Sequence, residues 1–156
     1  MIEQEPYLPA SSFLNSVANE EVVLDVSDFG KANLQLLIQL TRDADRSTRD
    51  WATMLLASYG PKIDQVRDAL LAAAEDEDEI VKAEAIEGLV ERDREKALAL
   101  VKRELASESV SVPLLYAARE LADQSLVPLL EPFAIPSDDA YIDGLVDDAL
   151  KACRTD

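Results

Sequence analysis

The chain has 156 residues, 48% of them apolar, with 32 acidic and 15 basic side chains, no histidine and a net charge of −17. That length suits one domain able to bury roughly 70% of the surface its unfolded chain exposes, and the charge repels nucleic acid and anionic membranes while favouring basic partners. A lone Cys153 excludes an intrachain disulfide, the lack of histidine removes Ser-His and Cys-His nucleophile pairs, and four scattered glycines make no phosphate loop.

Residues 1–27 read as a lead-in and cap, with Pro6, Pro9 and an apolar cluster at Phe13, Leu14 and Val17. The start, "MIEQEPYLPA", has no basic segment followed by a hydrophobic one, and no apolar run approaches the ~20 residues of a membrane span. A cytoplasmic location is the expectation. From Asp28, placed to cap a helix, Leu34, Leu37, Ile38 and Thr41 follow the i, i+3, i+4, i+7 rule. After "DADRS" a second helix over residues 47–59 meets the stop signal Gly60-Pro61.

A third helix is predicted over residues 62–74, with Ile63, Val66, Leu70 and Leu71 on one face. The acidic run "EDEDE" then forms a water-screened turn and opens a helix ending near residue 91, its charges lying where the helix dipole favours them. "REKALALVKRELA" and "SVSVPLLYAARELAD" form the next pair, in which Pro113 fits only the first turn of its helix. "SLVPLLEPF" and "DDAYIDGLVDDALKAC" form the last. The expectation is eight helices in four hairpins, units of about 28–60, 61–92, 93–123 and 124–156, with no strand.

Aligning the second helix of each pair exposes a repeat. Thr48, Ala52, Thr53 and Leu56 keep offsets of 0, 4, 5 and 8, as do Val81, Ala85, Ile86 and Leu89, then Pro113, Ala117, Ala118 and Leu121, then Leu145, Ala149, Leu150 and Cys153. The successive shifts are 33, 32 and 32 residues. Alanine at offset 4 lets a neighbouring helix approach closely, and a hairpin that cannot cover its own apolar face completes its core by stacking. A helical bundle would need no fixed repeat length.

The segments "DRSTRDWATMLL" and "DEIVKAEAIEGL" resemble the HEAT-repeat family in its short bacterial form. A turn Asp precedes an apolar position followed by Arg or Lys, then Ala and Leu; Asp45/Arg49 and Asp78/Lys82 match that pattern. In the third unit Val110 and Leu114 occupy those places, which interrupts a ladder of turn hydrogen bonds. The resemblance implies an all-α, right-handed α-solenoid that binds partners on a concave surface made by its second helices. Some members of the family resemble bilin lyases, and others act as DNA glycosylases through a basic groove that this acidic chain does not offer.

Carboxylate pairs are abundant, at Glu75 to Glu79, Asp138/Asp139 and Asp147/Asp148, but acid–base catalysis needs a buried one with a raised pKa. "EDEDE" lacks the glycine-centred spacing of an EF-hand, so no metal is expected, nor any cofactor. Cys153 reads as a small apolar packer. Offset 3 of the second helices collects Trp51, Glu84, Tyr116 and Asp148, and offsets 6 and 7 add Met54, Glu87, Arg119 and Glu120. These eight residues are the candidate partner-binding surface, with aromatic anchors flanked by acids. Trp51 and Tyr116 have a competing role in packing, and Leu55 at i+4 from Trp51 extends an apolar stripe.

The expected function is a non-enzymatic, monomeric interaction module that binds a basic protein and neither nucleic acid nor membrane. A sharper form is an immunity or inhibitor protein that covers a basic nuclease toxin. The competing classes are a bilin-lyase-like enzyme and a structural subunit of a larger assembly.

Overall fold

Asp45 and Asp78 stand one repeat apart and do the same work. The Asp45 carboxylate accepts from the backbone N–H of Thr48 (2.8 Å), and that of Asp78 accepts from Ile80 (2.9 Å) and Val81 (3.1 Å), satisfying donors that a helix start leaves open. Asp93 and Asp139 cap two later helices in this way. The structure, a computed structural model, describes residues 6–155; residues 1–5 of the lead-in and Asp156 lie outside the described residues.

Nine α-helices and no strands are present among the described residues: α1 (Ser12–Ala18), α2 (Lys31–Leu40), α3 (Arg46–Tyr59), α4 (Asp64–Ala73), α5 (Glu79–Leu89), α6 (Arg94–Leu105), α7 (Val112–Leu121), α8 (Val127–Leu130) and α9 (Ala140–Arg154). Helices α2/α3, α4/α5, α6/α7 and α8/α9 form hairpins, and the second helices stack in the order α3, α5, α7, α9. This is an all-α solenoid. Every position of the sequence register is buried except Thr48, which is half-buried.

The ninth helix, α1, lies in the lead-in and buries Leu14 and Val17 against the end of the stack, with contacts to α3. Helix α2 begins at Lys31 with Gly30 as its N-cap, so Asp28 does not cap it. A side chain at Gly30 would collide with Asp25, whose backbone N lies 2.6 Å from the position of a Cβ. Gly60 ends α3 in an extended conformation (φ −64°, ψ 141°), so the stop depends on space rather than on a left-handed turn: a Cβ there would lie 2.5 Å from the Leu56 carbonyl oxygen.

Prolines divide the helix expected over "SLVPLLEPF". Short 3₁₀ turns at Gln124–Leu126 and Glu131–Phe133 flank the single turn α8, because Pro128 and Pro132 supply no N–H to a continuous ladder. Pro113 falls in the first turn of α7, where it costs no hydrogen bond.

Charged side chains join the repeats along their turns. Arg46 Nε donates to Asp78 (2.8 Å) and Arg49 Nε to Asp76 (2.9 Å), while Arg49 also reaches the carbonyls of Asp43 and Ala44. The Arg46 guanidinium is the chief reason the Asp78 carboxyl falls to about 2. The acidic run is therefore not simply water-screened: the Asp76 and Arg49 side chains are only 10% and 12% exposed. Where the third unit lacks the matching charges, Lys82 turns instead to Glu104 of α6, at 3.6 Å. Arg92 does a related job at the opposite ends of the helices, donating to the carbonyls of Ala57, Gly60 and Gly88.

Candidate partner-binding groove

Close approach of α3 and α5 sets the floor of the groove. At Gly88 the two helices are so near that an added Cβ would stand 2.6 Å from that of Ala57. Glu84 stands one turn before Gly88 on α5, and Glu87 directly precedes it.

The groove has a volume of about 800 Å³ and runs between α3, α5, α7 and the loop before α7. Met54, Glu84, Glu87, Tyr116 and Glu120, five of the eight residues selected from sequence, line it together with Ile80, Val112 and Pro113. The other three lie elsewhere. Arg119 is exposed and sits with its guanidinium carbon 5.0 Å from the centre of the Tyr116 ring. Asp148 is exposed on α9, away from the groove lining. Trp51 is half-buried beside the groove, stacked at 5.3 Å on the ring of Tyr7, with its indole N–H buried and unpartnered among the described residues.

Tyr116 does not simply pack. Its ring rests partly against the core, while its hydroxyl shares a 2.6 Å hydrogen bond with Tyr141 of α9 and its face carries Arg119. The aromatic ring thus forms a wall of the groove that is fixed from both sides.

Electrostatically the groove is unlike the rest of the acidic surface. Burial pushes the Glu84 carboxyl up to about 8, reinforced by the charges of Asp50 and Glu87. Burial likewise raises Glu87 to about 7, with Glu120 adding to the shift and Arg119 opposing it. Neither glutamate forms an ion pair among the described residues, since Arg92 at the groove edge is committed to its three carbonyls. Two carboxyls that exchange protons near neutrality, held in a half-dry groove, can seat a cation or pass a proton.

The carboxyls that are raised are not among the carboxylate pairs picked out in the sequence. Asp76 and Asp78 are bound to arginines, whereas Glu84 and Glu87 are half-buried and form no ion pair among the described residues. Their i, i+3 spacing on α5, with an apolar residue on each side, was the available signal. Sequence reasoning missed Asp50, Tyr7 and Gly88 altogether. Asp50 is only 7% exposed, and nothing in the local pattern ties Tyr7 to it across 43 residues. Cys153 is buried with its thiol 3.6 Å from the Ala118 carbonyl oxygen, and burial raises its pKa. No group of three His, Cys, Asp or Glu among the described residues is arranged to hold a metal ion, and no described helix is long and apolar enough to cross a membrane.

A family model for HEAT repeats matches residues 34–122. Among curated proteins, Protein YibA of Escherichia coli strain K12 and that of Escherichia coli O157:H7 are each 31% identical over 142 residues, covering 91% of this chain and 47% of the relative. The X-ray structure of YibA from Escherichia coli superposes with a TM-score of 0.60 at 28% identity, covering 90% of this chain and 55% of that one. The chain spans about half the length of the relatives it matches.

Proposed function

The chain belongs to the HEAT-repeat family, and from that premise we propose that it is a non-enzymatic interaction module whose groove between α3, α5 and α7 receives a basic segment of a protein partner. The observation that carries this reading is the pair Glu84 and Glu87, half-buried carboxyls that form no ion pair among the described residues, in a groove walled by Tyr116 and Met54. A lysine or arginine side chain entering there supplies the missing charge, and its stem covers the apolar walls. The net charge of −17 speeds the approach of such a partner and disfavours nucleic acid. An inhibitor that covers the cationic site of a toxic nuclease is a special case of the same reading.

The raised carboxyls also support a second reading, in which Glu84 transfers a proton to a small molecule bound in the groove. The two readings separate in one experiment. Immobilised wild-type chain and a Glu84→Gln, Glu87→Gln, Glu120→Gln variant are exposed to the same soluble extract. The interaction reading expects basic proteins retained by wild type and lost by the variant. Identical retained sets contradict it.

A further inference from the structure

We propose that the ring of Trp51 and the carboxylate of Asp50 form a first cation seat at the edge of the groove, and that Tyr7 is a built-in occupant displaced by a lysine or arginine of the partner. The proposal rests on the groove reading above and adds to it a site and a gate. Pro9 is buried and its carbonyl accepts from the Asn15 side chain of α1 (3.0 Å), which anchors the segment. Two residues before this anchor, Tyr7 lies over α3. Its ring stacks on Trp51 with 25° between the planes, its hydroxyl donates to Asp50 (2.7 Å), and Ser47 donates to that hydroxyl (3.3 Å).

This contact is shallow. Tyr7 remains 54% exposed and Leu8 62% exposed, so the segment lies on α3 rather than within the core. Beneath it are groups that suit a cation better than a phenol. Asp50 is 7% exposed, and besides Tyr7 it pairs with Arg46, at 3.6 Å. A neutral hydroxyl gives Asp50 a weaker hydrogen bond than an ammonium or guanidinium does. Trp offers the most favourable aromatic face for a cation. Asp50 is also electrostatically continuous with the groove, since its charge acts on Glu84. A basic segment lying across α3 and α5 has Asp50 to engage besides Glu84 and Glu87, and Tyr7 occupies the Asp50 contact.

Trp51 is the only tryptophan in the chain, so its emission reports the seat directly. The test titrates an oligolysine peptide into the wild-type chain and into Tyr7→Ala and Tyr7→Phe variants, following heat by calorimetry and Trp51 emission in parallel. Wild-type emission is expected to shift as the peptide binds. Tyr7→Ala is expected to bind about tenfold more tightly, the order of effect of losing one stacked aromatic competitor, with Tyr7→Phe between the two. Equal or weaker binding by Tyr7→Ala, or unchanged wild-type emission at calorimetric saturation, overturns the gate while leaving the groove reading intact. Absence of peptide binding by all three chains overturns both.

Discussion

Glu84 and Glu87 tie the stability of the fold to pH near neutrality. Each carboxyl is raised from an ordinary value of 4.5, to about 8 and about 7 respectively, so between those limits the folded chain holds protons that the unfolded chain has released. Stability therefore falls as pH rises through this window, the reverse of the usual carboxylate effect. Thermal melts are expected to give a higher Tm at pH 5.5 than at pH 8.5. At pH 8.5, Glu84→Gln is expected to stabilise by about 1–2 kcal/mol, allowing for the water that still reaches the groove, or a Tm rise of about 2–6 °C. The acid limit is set differently: Asp78, held at about 2, contributes stability that is lost as pH drops from its ordinary 3.8 through 2. The same linkage applies to binding. A cation seated at Glu84 and Glu87 displaces protons, so oligolysine affinity is expected to increase from pH 6 to pH 8.5; the opposite trend would contradict the assignment.

Arg46 and Arg49 offer a contrast in burial at one turn. The Arg46 side chain is 46% exposed and that of Arg49 only 12%, and both bind aspartates of the next repeat. Removing Arg49 leaves a nearly buried Asp76 carboxylate with a single backbone donor, the Asp78 N–H at 2.9 Å, whereas the more exposed Asp78 keeps two without Arg46. Arg49→Ala is expected to lower Tm by more than Arg46→Ala, measured in the same buffer.

Between elements, glycine separates packing from propensity. Gly88 lies where α5 meets α3, and a methyl there would stand 2.6 Å from that of Ala57 and 3.0 Å from Leu70 Cδ1. Gly144 sits in α9 with nothing within 4 Å of an added Cβ. Gly88→Ala is expected to cost about 1–3 kcal/mol through overpacking. Gly144→Ala is expected to gain about 0.5–1 kcal/mol from helix propensity alone. Denaturant midpoints of the two variants measure the difference. A Gly88→Ala variant as stable as wild type or more so would contradict the close α3–α5 contact.

Much of this arrangement was legible in the sequence because it repeats. Offsets 0, 4, 5 and 8 recur four times, and a periodic apolar face has few uses other than stacking. What was not legible lacked a period. The α1 helix is a non-repeating cap, α8 is broken by two prolines, and Asp28 resembles a cap residue although Gly30 holds that place. The groove was partly legible: Glu84, Glu87 and Tyr116 share a face with a spacing that can be counted, whereas Tyr7 arrives from a segment with no register to the repeats.

Across the full stack, the ends differ from the middle. Helix α1 closes one end with Leu14 and Val17, and the other presents Asp147, Asp148, Lys151 and Arg154, with ion pairs from Lys151 to Asp147 and from Arg154 to Glu131. The half-buried, raised Glu84 and Glu87 lie in a central unit, so net charge and local site can be tested apart. Calorimetric titration of oligolysine at two salt concentrations compares wild type with Glu84→Gln, Glu87→Gln, Glu120→Gln and with a second triple variant neutralised at the exposed Glu95, Glu108 and Asp138. Both variants lose the same formal charge. The groove account predicts that binding collapses in the first and persists in the second with only a shallower salt dependence; equal weakening of the two would mean that overall charge, not the groove, attracts the peptide.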